Sequence, residues 1–122
     1  VRLSDADLLA WANQAAAQCP QNTNQLSISS FKDSGMRNSL FFLYILDCLQ
    51  PGCIQYDLVI LDDDSHDALR GNARYALTVA RKLGATLFVM PEDIVEVNAK
   101  MILTFIGSLM KVEKMQKAKQ SK

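Results

Sequence analysis

The sequence predicts an all-α domain of four main helices with short connecting pieces, one helix being central and buried. Three observations carry this. Apolar residues recur at helical spacing in three separate stretches. A further stretch, from about Met36 to Leu49, is apolar almost all round, which belongs in the middle of a protein. Aromatics make up 7% of the chain while Leu, Ala, Ile and Met are plentiful, a balance that favours helix packing over a sheet. At 122 residues the chain has the length of one domain. A domain of this size buries roughly 65–70% of the surface its unfolded chain exposes, enough for one core.

The first helix starts at Ser4, an N-cap residue followed by Asp5 and Asp7 where the helix dipole favours negative charge. Leu8, Trp11, Ala12, Ala15 and Ala16 form its apolar stripe, which stops before Cys19-Pro20. Residues 20–25 read as a polar loop, and Ser27 to Gly35 as turns around one large anchor, Phe31. The central helix carries Leu40, Phe41, Phe42, Leu43, Tyr44, Ile45, Leu46 and Leu49, and Pro51-Gly52 ends it. After a segment without clear periodicity, Asp64 or Ser65 caps a third helix. Its inward stripe is Leu69, Ala73, Ala76, Leu77, Ala80 and Leu83, and Lys82 and Gly84 close it. ATLFVM is a short strand-like connector. The last helix runs from about Asn98 to Met110 or further, with Met101, Ile102, Phe105, Ile106 and Leu109 facing in. Trp11, Phe31, Leu43, Leu46, Leu77 and Phe105 are the expected core. Residues 1–110 are expected to form the domain, and 111–122 a basic tail that either extends the helix or is disordered.

The net charge is zero but unevenly spread. Residues 1–110 hold 8 Lys and Arg against 12 Asp and Glu, a balance of −4; residues 111–122 hold 5 Lys against Glu113, a balance of +4. Such a body does not suit nucleic acid, because phosphate affinity needs clustered Lys and Arg. The longest apolar stretch, MILTFIGSLM, is too short to span a bilayer, and the first residues lack the layout of a signal peptide. No membrane partner is expected. Cys19, Cys48 and Cys53 have neither the spacing of a zinc site nor an even count, and read as reduced thiols of a cytoplasmic protein.

Two segments invite chemistry. DDDSHD, from Asp62 to Asp67, fails as a calcium loop, since Asp67 stands where glycine is needed and Ala73 where a bidentate Glu is needed. Carboxylates crowding a helix start explain it without a ligand. His66 has no nucleophile presented to it by a strained turn, and the five glycines form no phosphate loop. PEDIVEV, from Pro91 to Val97, places Glu92, Asp93 and Glu96 among apolar residues. Proline at a first helical turn followed by acids is a helix start, and Asn98 then caps the final helix. No partner for acid–base work is present. The chain is expected to be no enzyme and to need no cofactor or metal.

With its pieces in this order, the chain resembles a calponin-homology domain along nearly its whole length. LLAWAN (Leu8 to Asn13) is similar to the first-helix signature, and ISSFKD (Ile28 to Asp33) to the loop around a Phe anchor. The helix ending in LQPG, NARYALTVARKLGA (Asn72 to Ala85) and PEDIVEVNAKMILTFIGSLM resemble the central, parallel and closing segments. ISSFKD, ARKLGA and PEDIVEVN together are similar to the fourth, C-terminal domain of the fimbrin/plastin type. That resemblance implies the calponin-homology fold and F-actin binding, as the second half of an actin-binding domain whose preceding calponin-homology domain makes most of the contact. It also implies actin-bundling proteins of the cytoskeleton. The exposed face of the first helix is then the contact stretch, which points to Asp5, Asn13, Gln14 and Gln18. From the tail, Lys111 and Lys114 could meet an acidic partner. The alternative reading is a scaffold or signalling domain of the same fold, binding another protein with little actin affinity of its own.

Overall fold

The computed structural model describes residues 4–120. The chain is all-helical among these residues: α1 (Asp5–Gln18), a 3₁₀ turn (Ser34–Met36), α2 (Leu40–Leu49), a second 3₁₀ turn (Tyr56–Leu58), α3 (His66–Lys82), α4 (Pro91–Val95) and α5 (Ala99–Gln120). α2 is the hub, touching α1, α3 and α5. Phe41, Phe42, Leu43, Ile45 and Leu46 on it are fully buried, as a helix without a polar face must be. Phe42 meets Phe105 of α5 with ring centroids 4.9 Å apart.

α1 begins as its sequence dictates. Ser4 Oγ accepts from the Asp7 N–H at 3.2 Å, and the Asp7 carboxylate accepts from the Ser4 N–H at 3.2 Å. This reciprocal pair satisfies two otherwise orphaned donors. Ser65, rather than Asp64, caps α3 by accepting from Ala68 N–H, and Gly84 follows the helix at φ +107°, where a side chain would be strained. α4 starts at Pro91, with the Asp93 carboxylate accepting from the Met90 N–H at 2.8 Å. Asn98 Oδ1 accepts from Met101 N–H at the head of α5.

Two expectations need correction. The central helix begins at Leu40, not Met36, because Ser39 takes a left-handed conformation (φ 67°) that breaks any helix running in from the 3₁₀ turn. ATLFVM is the strand-like connector expected, unpaired among the described residues, with Ala85 and Val89 inward and Phe88 and Met90 outward. Trp11 and Phe31, expected inside, are half-buried and pack on the rim of the core. Leu43, Leu46, Leu77 and Phe105 are within it.

Loops are fastened by asparagines. The Asn22 amide donates to Ala16 O and Leu26 O while its Oδ1 accepts from Leu26 N–H at 2.7 Å. Asn72 exchanges two bonds with the backbone of Ile60, at 2.9 and 2.8 Å. On the other side of α2, Asp47 accepts from the Tyr56 hydroxyl (2.9 Å), the Cys19 thiol (3.3 Å) and the Gly52 N–H (2.9 Å). The three cysteines are free thiols. Burial pushes all three upward, Cys53 to about 11, so they stay protonated and act as small apolar groups.

Candidate functional site

α1 and α5 lie side by side, and the seam between them holds most of the predicted contact residues. Trp11 of α1 donates its Nε1–H to the Glu113 carboxylate of α5 at 3.2 Å, and the same Oε1 takes Lys117 Nζ at 3.4 Å. The indole body packs on the core while its polar edge reaches the neighbouring helix, the ordinary use of a tryptophan at a rim.

Two surface hollows follow this seam. One, of about 380 Å³, is lined by Leu8, Thr104, Gly107, Met110, Lys111 and Lys114. The other, of about 230 Å³, is lined by Trp11, Gln14, Gln18, Glu113 and Lys117 among others. Lys111 and Lys114 therefore stand over an apolar floor, while Gln14 and Gln18 border a more polar notch. Gly107 leaves the floor open, with nothing within 4 Å of where a side chain would begin. Asp5 is exposed in the first turn of α1, outside both hollows.

Asn13 does not join this face. It is half-buried, and its amide donates to Ile28 O and accepts from Ile28 N–H, both at 2.8 Å, so it is occupied in tying α1 to the following loop. Glu113 is the residue that sequence reasoning passed over. Its signal was its position as the one carboxylate in a lysine-rich tail, four residues before Lys117.

The acidic segments behave as helix starts. Asp93 caps α4 and also accepts from the Asn98 amide at 3.4 Å. Glu92 pairs with Arg70 at 2.8 Å, and its carboxyl is held below the usual range by its own backbone N–H and by Arg70. Ile94 and Val95 are buried beneath it. Asp33 is likewise held low, by the backbone N–H groups of Ser29 (3.0 Å) and Gly35 (2.9 Å).

Comparison with known proteins agrees with this architecture. The calponin homology (CH) domain family matches residues 3–114. The chain is 39% identical to human Plastin-3 over 113 residues, covering 89% of this chain and 17% of that protein. It is 41% identical to fimbrin of Saccharomyces cerevisiae over 112 residues, 92% of this chain and 17% of the relative. Among solved structures, the actin-crosslinking core of Schizosaccharomyces pombe fimbrin superposes with a TM-score of 0.79 at 41% identity, over 88% of this chain and 22% of that one. The chain thus spans about a sixth of the length of these relatives. It belongs to the calponin homology domain family, and within it is similar to the domains of fimbrins and plastins.

Proposed function

We propose that this chain is an F-actin-binding half-module of a fimbrin/plastin-type bundling protein. The supporting observation is its 41% identity, across 88% of its length, to a structure described as an actin-crosslinking core. The segments ISSFKD, ARKLGA and PEDIVEVN favour the fourth, C-terminal position, which makes the chain the second CH domain of an actin-binding domain. Its partners are then F-actin and the preceding CH domain, and its place is the actin cytoskeleton in the cytoplasm. It works by surface complementarity, without catalysis or cofactor. Residues 1–110 are read as the domain body and 111–122 as its basic extension, although Val112 and Glu113 still pack on that body.

The α1–α5 seam is the surface we assign to this role. Gln14, Gln18, Lys111 and Lys114 line it, Asp5 flanks it, and Asn13 supports it from behind. The surface is mixed in charge, with Glu113 and Lys117 neutralising each other at its centre. Such a surface suits a partner that adds affinity to a tandem rather than one that supplies it alone. Co-sedimentation with F-actin tests the assignment. Lys111→Glu with Lys114→Glu is expected to reduce pelleting of the two-domain tandem severalfold while the melting temperature holds. Unchanged pelleting would move the contact elsewhere, and no pelleting by the unmodified tandem would favour the scaffold reading.

A further inference from the structure

Two patches of opposite charge, each with exposed apolar residues, lie toward the two ends of α3, while Phe88 and Met90 are exposed on the 85–90 connector outside both. At the N-terminal end of α3 stand the exposed Asp62, Asp63, Asp64 and Asp67, with the exposed Asp57 in the 3₁₀ turn that leads to them. Among them Leu58, Ile60 and Leu61 are 55%, 42% and 56% exposed. The backbone that presents them is held: Asn72 grips Ile60 from both sides, Val59 is buried, and Asp63 Oδ1 accepts the Ser65 N–H at 2.8 Å. The ion pairs among the described residues are Arg70–Glu92 and Lys117–Glu113, and neither involves these aspartates.

The other end is its complement. Arg81 and Lys82 occupy the last turn of α3. Just beyond, Lys111 and Met115 of α5 line a hollow with Gly84, Ala85 and Thr86. Met115, 45% exposed, stands one residue from Lys114 and one turn from Lys111 and Lys119. The methylene stems of these lysines add apolar surface beneath their charges. α3 is 17 residues long, about 25 Å, so the acidic pole of one molecule cannot reach its own basic pole.

We propose that the two poles are the halves of a self-association contact, in which the acidic Leu58–Asp64 pole of one copy docks on the Lys111–Lys119 pole of a second. Both charge and apolar character match across the contact, with Leu58, Ile60 and Leu61 against Met115 and the lysine stems. The contact is heterologous, one end upon the other, so it adds copies in a row rather than closing a pair. The contact rests on a few exposed apolar residues and on solvent-exposed charges, which salt screens, so association is weak and shows at high protein concentration and low salt.

Sedimentation velocity across a concentration series tests this. At low salt the weight-average sedimentation coefficient is expected to rise with concentration, and at high salt to stay at the monomer value. Asp62→Lys with Asp63→Lys, and separately Lys114→Glu with Lys119→Glu, should each leave a monomer. Mixing these two variants should restore association, because each retains one native pole that complements the other's. Leu61→Ser, which changes no charge, should weaken association by about tenfold. A wild-type chain that stays monomeric at every concentration at low salt would overturn the proposal. So would association that survives high salt, or a mixture of the two variants that remains monomeric.

Discussion

Ser39 is the residue at which local and global requirements conflict most. It is fully buried, sits at φ 67°, and its hydroxyl has no hydrogen-bond partner. A left-handed conformation costs a non-glycine residue about 1–2 kcal/mol, and a buried unpaired hydroxyl adds to that. Ser39→Gly is therefore expected to stabilise the domain by about 1 kcal/mol in chemical denaturation, and a lowered midpoint would show that the hydroxyl is needed. Nothing in RNSLFF signals this kink, since a serine before an apolar run reads equally as mid-helix or cap. Asp33 shows the opposite case, a side chain whose role its neighbours announce. Its folded-state pKa lies below the ordinary 3.8, so its stabilisation is complete above that value and is lost as pH falls through the lower folded one. Asp33→Asn should lower stability at neutral pH and flatten the acid limb of the stability–pH curve; an unchanged limb would assign acid sensitivity to other carboxylates. Trp11 was expected to be fully buried, where truncation to Ala costs roughly 3–5 kcal/mol. As a half-buried rim residue it should cost less. Trp11→Phe, which keeps most packing and loses the Glu113 bond, should cost about 1 kcal/mol by thermal or chemical melting.

At the scale of elements, helix identity was readable and helix ends were less so. The stripe in α3 and the caps at Ser4 and Ser65 arise from local chemistry, and local chemistry is what a sequence displays. Where α5 ends is set by tertiary packing. Its inward residues continue as Ile102, Phe105, Leu109 and Val112, the last fully buried, so the helix keeps a core face beyond Met110. Glu113 then fastens the following turn to Trp11. A chain ending at Met110 should lose about 2 kcal/mol or more through the missing Val112 side chain and the orphaned indole N–H. Urea unfolding checks this, and equal stability of the two lengths would show that residues 111–120 pack without consequence. Asn13 is the counterpart on α1. A polar residue on an amphipathic helix reads as solvent-facing from its sequence alone, and only the position of the 26–28 loop shows that it is occupied.

For the whole molecule, the apolar α2 was the sequence feature that determined the architecture. A helix with no polar face needs cover on all sides, and α1, α3 and α5 supply it. The α1–α5 seam was not visible from composition or periodicity, because which two amphipathic helices adjoin is a property of topology; resemblance to a family pointed only to the first helix, and the charge of the tail to Lys111 and Lys114. The seam carries near-balanced charge and shallow hollows rather than a deep cleft. Binding at such a surface gains from being linked to a second site, where effective concentration multiplies a weak contact by 10² or more, roughly. Co-sedimentation with F-actin, comparing this chain alone with the same chain joined to the preceding CH domain that the proposed function assigns to it, measures that gain directly. The expected result is weak, salt-sensitive pelleting without bundling for the single domain, and binding tighter by at least about tenfold for the tandem. Tight, salt-insensitive pelleting by the single domain, or a tandem that binds no better, would contradict it.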